Sequence, residues 1–576
     1  MKKNIYALSM VILLGLFLVG CSPTNNQSNS TNETKIEESV EETVSVLVDT
    51  EFGQVEGVSE EKALIWRGIP YGDDTSGENR WKAPQNPKKW NNVLETKEPG
   101  SLALQFSQNG AIGSEDALNL DIYRPNNNSK DLPVLVYIHG GNNQTGHAQE
   151  ISGKSFVSNH DAIYVSVNYR LGVLGFNPLS ALKKGSDEEN SGNFGLLDIA
   201  FALDWVKNNI ENFGGQKDNI TVAGFSAGGR DVMAMLTSPL FKDKFQNAIS
   251  FSGGMTIADE EKSQEVFATA LAPLVVEDKV KDNKESAKEW LLSDDEEVRS
   301  YLMDLESERL APLMGNAGIR MEVFPHLFND GVVLPKDGFD TTIFNDVPLL
   351  MLTGQKEFSM FGMFDAYFSE SYADGTIFTD ETKSKEFEFV NTYGGQLYSL
   401  FNVNDSAEKL IENYQSPIYN MEISFGNNPD NIDESLQALA SFHGVFVPLL
   451  DTDNHNYDVF IGDSYKSEGA KGMQVAFQEY IYNFIKNGDP NGENVPEWTQ
   501  WTKDNKKNLI LDADKNEYSA EMEEKVFTYE DVLVNIDQDS TISTEQKETL
   551  IKNVLNGRWF SYDLDKKYDN LSNFYK

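Results

Sequence analysis

Ser226 stands between two stretches of contrasting character. Before it, Asn219-Ile220-Thr221-Val222-Ala223 is β-branched and apolar, and after it Ala227 to Leu236 is small-sided, then rich in Met and Leu. Gly224 and Gly228 complete the pattern G-x-S-x-G, which strand-to-helix turns use to let both elements pass close by while a strained serine turns its hydroxyl outward. The chain has no second match. A serine so placed suits acyl transfer. Its hydroxyl attacks, a base takes the proton, an acid orients the base, and backbone N–H groups hold the oxyanion that forms. Ala227, directly after the serine, would supply one of those N–H groups. The candidate bases are six histidines: His139, His147, His160, His326, His443 and His455. For the acid, Glu357 follows a strongly apolar run. It would lie at the carboxyl end of a strand, where sites gather in open α/β sheets.

The elements that must position these groups are legible as patterns. The runs 133–138, 162–167, 245–251 and 347–352 are apolar on both faces, which predicts a buried, mostly parallel sheet with helices on each side. Val44 to Val48 and Gly53 to Val58 read as short hairpin strands at the domain edge. Leu196 to Ile210 has helical spacing and stops at Phe213-Gly214-Gly215. The charged stretch from Asp259 to Glu308, with parts of Phe358 to Tyr414, reads as helical insertions over the sheet's carboxyl edge. Thr541 to Leu555 reads as a surface helix, ended by Asn556-Gly557.

With 576 residues and 39% hydrophobic content the chain can bury a large core. Its net charge of −43 argues against nucleic acid and against charge-driven docking on an anionic bilayer. There is one cysteine, Cys21, so no intrachain disulfide and no multi-cysteine metal site can form. Without an HExxH or a Walker loop as well, no metal and no organic cofactor is expected. Lys2 and Lys3 precede an apolar run from Ile5 to Val19, and Leu18-Val19-Gly20-Cys21 resembles a bacterial lipobox. That resemblance implies a signal peptide over residues 1–20, lipidation of Cys21, and an anchor on the extracytoplasmic face of the cell membrane. Residues 21–43, rich in Ser, Thr, Asn and Glu, read as a flexible tether.

From about Phe52 to Trp501 the chain resembles the type-B carboxylesterase/cholinesterase family. The resemblance is carried by Trp66-Arg67-Gly68-Ile69-Pro70-Tyr71 with Arg80-Trp81 and Pro84, and by Ser114-Glu115-Asp116-Ala117-Leu118-Asn119-Leu120. Asn168-Tyr169-Arg170-Leu171-Gly172, Gly192 to Asp198, and Asn487-Gly488-Asp489-Pro490-Asn491 continue it. It implies an α/β-hydrolase fold over residues 44–530, with helical insertions over the active site and 531–576 as a C-terminal helical extension. It also implies a serine carboxylic-ester hydrolase working through an acyl-enzyme. The triad would be Ser226 as nucleophile, His443 in Phe442-His443-Gly444 as base, and Glu357 as the acid. The order Ser226, Glu357, His443 is that of the fold. In His139-Gly140-Gly141-Asn142, the family's glycine-rich loop, Gly141 and Asn142 would join Ala227 as oxyanion donors, with His139 a supporting residue.

Several positions depart from the family. Asn142 replaces a third glycine, though Asn tolerates left-handed backbone, and its side chain should narrow the site. Phe225 replaces the acidic residue before the nucleophile, and Phe358 stands where a glycine is usual. The choline-binding tryptophan would fall near Ser107, where no Trp lies, and Ala117 replaces a disulfide cysteine. The numerous Phe and Tyr residues read as mostly core, with some in the insertions lining an acyl pocket. With no aromatic face expected for quaternary ammonium, the substrate class reads as neutral carboxylic esters. Two other readings stand beside this one: a catalytically silent surface-binding or adhesion protein of the same family, and a membrane-tethered lipase. The expected partners are a small-molecule ester and, through the anchor, the membrane.

Overall fold

The computed structural model describes residues 45–571, apart from residue 316 and residues 525–526. Cys21, the signal segment, the tether and the first residue of the Val44 strand lie outside the described residues.

An eleven-stranded mixed sheet forms the centre. In chain order its strands are β1 (Val58–Ser59), β2 (Ala63–Pro70), β3 (Asn119–Pro125), β4 (Leu132–Ile138), β5 (Ile163–Val167) and β6 (Gly215–Phe225). They continue with β7 (Asn247–Phe251), β8 (Leu349–Gly354), β9 (Ile418–Ile423), β10 (Lys507–Ala513) and β11 (Tyr518–Glu524). The spatial order is β11-β10-β9-β8-β7-β6-β4-β5-β3-β2-β1. From β5 through β10 every neighbouring pair is parallel, and both flanks are antiparallel. β4, β5, β7 and β8 are buried along their whole length, as the apolar runs predict, and so are β3 and β9, which no such run announced. The early hairpin pairs Leu47–Thr50 with Gly53–Glu56, in a small separate sheet.

Two helices matter most for the site. α1 (Phe194–Asn209) runs into a 3-10 turn that ends where Gly214 takes up a left-handed conformation, so the expected stop holds. α2 (Ala227–Met235) leaves directly from Ser226 and is buried throughout. The 259–308 stretch forms the expected helices, Glu260–Glu277, Lys284–Leu291 and Glu296–Asp304 among them. Asp259 caps the first by accepting from the Lys262 N–H.

The family motifs turn out to be braces. Arg80 makes a two-pronged bond to Glu115 (2.9 and 2.6 Å) and also donates to the Leu305 carbonyl (2.7 Å), tying the helical insertion to the domain's first third. Arg170 holds Asp198 in the same way, at 2.8 and 2.7 Å.

The tail forms the expected surface helix. Residues 544–550 are helical and continue as a π turn through Leu555. Glu545, Glu548, Lys552 and Asn553 face solvent, while Leu550, Ile551, Val554 and Leu555 are buried, because their spacing forms one apolar stripe that docks on the domain. Gly557, at φ +64°, marks its stop.

Candidate active site

The β6–α2 junction is built around two close approaches. A Cβ at Gly224 would lie 2.1 Å from the Gly228 carbonyl oxygen, and one at Gly228 would lie 2.2 Å from that of Ile138. Only glycine fits at either position. Between them Ser226 adopts φ +56° and ψ −114°, a conformation that side-chain-bearing residues rarely hold. Its N–H is anchored on the Phe251 carbonyl of β7 at 2.8 Å.

Ser226 and His443 open on one cavity of about 680 Å³. His443 Nδ1 lies 2.8 Å from Glu357 Oε2, and Glu357 is fully buried at the end of β8. The Glu357 carboxylate is saturated with donors. Oε1 accepts from the Thr353 hydroxyl (3.0 Å), the Gly354 N–H (2.6 Å) and the Ser252 hydroxyl, and Oε2 accepts from Asn402 (3.2 Å). Ser252 and Asn402 were not legible as site residues. Each is an unremarkable polar residue in sequence, brought in by β7 and by the turn after residues 381–399. Among the described residues Ser226 Oγ has no hydrogen-bond partner, so its bond to His443 is not formed in this arrangement. Such bonds are commonly loose before substrate arrives.

The loop after β4 abuts the serine: a Cβ at Gly140 would come within 3.1 Å of Ser226 Cβ. Asn142 takes the left-handed conformation at φ +56°, as its residue type allows. The N–H groups of Gly141, Asn142 and Ala227 have no acceptor among the described residues. The loop is held from several sides. Tyr169 donates to Asn143 Oδ1 (2.7 Å), Asn143 donates to Asp231 (2.8 Å), and Gln105 bonds both the N–H and the carbonyl of Gly146 (3.0 Å each). Asn142 lines the cavity, and its side chain is held in place there: Arg230 donates to its Oδ1 at 2.7 Å and Gln144 accepts from its Nδ2 at 3.1 Å.

The other histidines are placed elsewhere. His139 is fully buried, stacked on Tyr169 with ring centroids 4.6 Å apart, and desolvation pushes its pKa down to about 3. His160 packs on Tyr482, and His455 is exposed beside Asp458. His326 is buried, its pKa held well below the usual range by desolvation and the Arg230 charge.

Aromatic side chains line the pocket: Phe361 and Phe364 come from the insertions, as expected, and Phe225, Tyr457 and Phe460 join them. Phe106, next to the Ser107 position, adds an aromatic face where none was expected. Phe225 packs on His443 at 4.7 Å. The C-terminal segment is also part of the wall, through Lys552, Asn553, Asn556 and Arg558. Phe358 is accommodated by Gly394, where a Cβ would sit 2.5 Å from its ring, and Phe560 packs against it at 5.8 Å.

Glu150 lines the cavity, yet its Oε2 is closed off from solvent without a hydrogen-bond partner among the described residues. Desolvation pushes its pKa from an ordinary 4.5 up to about 7. The folded state therefore keeps a proton that the unfolded chain has released, and stability is lost as pH rises from 4.5 through 7. We expect Glu150→Gln to be more stable than the parent at pH 8, by on the order of 2 kcal/mol, with the gap closing as pH falls. Thermal melts of both proteins at about pH 5 and pH 8 test this. An identical difference at both values would contradict it.

Among the described residues no group of side chains has the makings of a metal site, and no helix is long and apolar enough to cross a membrane.

Comparison with known proteins accords with this geometry. Residues 44–457 match the model of the carboxylesterase family. The chain belongs to that family. It is 28% identical to the para-nitrobenzyl esterase of Bacillus subtilis (strain 168) over 504 residues, 84% of this chain and 98% of the relative. It is 26% identical to carboxylesterase 1D of Rattus norvegicus over 541 residues, 85% and 91% of the two chains. Among solved structures, a PNB esterase superposes with a TM-score of 0.62 at 26% identity, covering 83% of this chain and 98% of that one. A carboxylesterase of Geobacillus stearothermophilus does so at 0.62 and 25%, again covering 83% and 98%. The fold is the α/β-hydrolase fold, and this carboxylesterase is a carboxylic ester hydrolase acting on small-molecule esters.

Proposed function

We propose that this carboxylesterase works through an acyl-enzyme on Ser226, with His443 as the base and Glu357 orienting it, and with Gly141, Asn142 and Ala227 as oxyanion donors. The observation that carries this reading is convergence on one cavity: the strained Ser226, the His443–Glu357 bond, and a loop with unclaimed N–H groups. Labelling the full chain with a fluorophosphonate and mapping the adduct by mass spectrometry tests it. The adduct belongs on Ser226, and a modified residue elsewhere overturns the assignment.

The substrate class we propose is neutral esters. The aromatic faces remove one argument for that preference, so it rests on charge. Asp365 is engaged by both Arg558 (2.7 Å) and Arg320 (3.2 Å), and Lys552 adds another cation to the cavity wall. The wall is therefore not anionic, although the protein as a whole is. Butyl butyrate should show a higher kcat/KM than butyrylcholine at low and high ionic strength. A win for butyrylcholine at both would reverse the proposal. These charged groups in the wall also support small esters over a lipase's broad apolar entrance.

We also propose that Cys21 carries a lipid anchor on the extracytoplasmic face of the cell membrane, which rests on the lipobox pattern alone. Mass spectrometry of the membrane fraction should find an N-terminus at lipidated Cys21, and Cys21→Ser should abolish that species. Unmodified mature protein in the soluble fraction would refute it.

A further inference from the structure

Arg230 lies one turn into α2 after Ser226 and is fully buried. A buried guanidinium is costly unless its surroundings compensate the charge and satisfy the N–H groups. Here the compensation is partial. Nη2 donates to Asn142 Oδ1 at 2.7 Å and lies 3.5 Å from His326 Nε2, while Nε and Nη1 have no hydrogen-bond partner among the described residues. The adjacent carboxyl, Asp231, is turned to Asn143, and burial pushes its pKa up to about 7, so it is a weak counter-charge. The face of the guanidinium is covered by Trp559, at 5.6 Å from the ring centroid, which itself packs on His326 at 5.0 Å.

The cation's strongest contact is thus a single side-chain carbonyl, and that carbonyl belongs to the one residue of the oxyanion loop that is not the family's glycine. Glycine at position 142 could hold left-handed backbone with no side chain to place. Asparagine at φ +56° must send its carboxamide somewhere, and the cavity is beside it. Both ends of that carboxamide are tied, the oxygen by Arg230 and the nitrogen by Gln144, which leaves the Asn142 N–H unencumbered. The geometry points to Arg230 as a positioning residue for the oxyanion site, acting through the Asn142 side chain and itself held by Trp559 of the C-terminal segment.

This rests on the reading of Ser226 and Asn142 given above. The test is a double-mutant cycle on the full-length enzyme with p-nitrophenyl butyrate, with melting temperature as the folding control. Arg230→Met should lower kcat about 30-fold with little change in KM, a loss of the kind seen when one oxyanion donor is misplaced. The same variant should bind an alkyl boronic acid, a tetrahedral mimic, correspondingly less well, while inhibition by butanol is unchanged. In the Asn142→Gly background, whatever that change itself costs, adding Arg230→Met should cost less than about threefold more, because no side chain remains to be held. Arg230→Lys, which keeps a donor, should recover most of the lost kcat and covers the case in which the methionine variant does not fold. Trp559→Leu should lower kcat in the parent but not in Arg230→Met.

Equal losses from Arg230→Met in the parent and in Asn142→Gly would overturn the inference, as would a KM effect without a kcat effect, or Arg230→Lys being as impaired as a folded Arg230→Met. Failure of the underlying reading looks different: Ser226→Ala would stay active, or the fluorophosphonate would label another residue. If Ser226 passes both checks and the cycle shows no coupling, only the role of Arg230 falls.

Discussion

Ser226→Ala should reduce ester hydrolysis by roughly 10⁴-fold or more while leaving the melting temperature close to that of the parent. The size of the loss follows from what is removed. The unclaimed N–H groups of the loop after β4 and the walls of the cavity survive the substitution, so bound ester is still held and polarised. Without the nucleophile, water must attack directly, and the residual rate over the uncatalysed reaction is what binding and the oxyanion site supply. The fold should tolerate the change. Ser226 Oγ has no hydrogen bond to a described residue, and alanine removes no contact that the backbone needs at φ +56°. A variant within about tenfold of parental activity would rule out Ser226 as the nucleophile.

Glu357→Gln should cost roughly 10⁴-fold in kcat, the scale seen when a triad carboxylate becomes an amide and the imidazole is held in the wrong tautomer. The local wiring makes this substitution especially disruptive. Every partner of the carboxylate donates: Ser252, Thr353 and the Gly354 N–H to Oε1, Asn402 and His443 to Oε2. An amide NH₂ on the first side faces the Gly354 N–H, which cannot turn away. On the second side it faces the Asn402 NH₂ and forces His443 Nδ1 to accept, so that Nε2 carries the proton and cannot act as base. Glu357→Asp, which keeps the charge on a shorter arm, should be less damaged. A glutamine variant with near-parental kcat would show that His443 is oriented by something else.

The parts of this site that were legible in sequence share one property: their chemistry depends on local backbone. The elbow announces itself because two close approaches demand Gly224 and Gly228, and the buried strands because both faces lack polar residues. The tolerance of Asn142 for left-handed backbone was foreseeable on the same ground. Glu357 and His443, far from Ser226 along the chain, were legible through the family resemblance; partners outside any motif that arrive from far along the chain were not. Ser252 reaches Glu357 across 105 residues, and Arg558 reaches Asp365 across 193. An aromatic contribution from the insertions was foreseeable, and Phe361 and Phe364 supply it, whereas Phe106 comes from an early hairpin whose orientation the pattern does not encode. The tail was read as a surface helix, which it is, but its pattern does not encode that its end reaches the cavity wall through Lys552, Asn553, Asn556 and Arg558.

The placement of that tail has a consequence for how the protein comes into being. Polypeptides are made and delivered from the amino end, and their domains begin folding in that order. A nascent chain that has passed residue 443 already carries the serine, the glutamate and the histidine, but not Lys552, Asn553, Asn556 or Arg558 of the cavity wall, nor Trp559 above Arg230. If Ser226, Glu357 and His443 react as proposed, a chain ended before that last stretch carries the proposed triad in a cavity that lacks part of its wall, and truncation ahead of residue 552 is expected to lower ester hydrolysis.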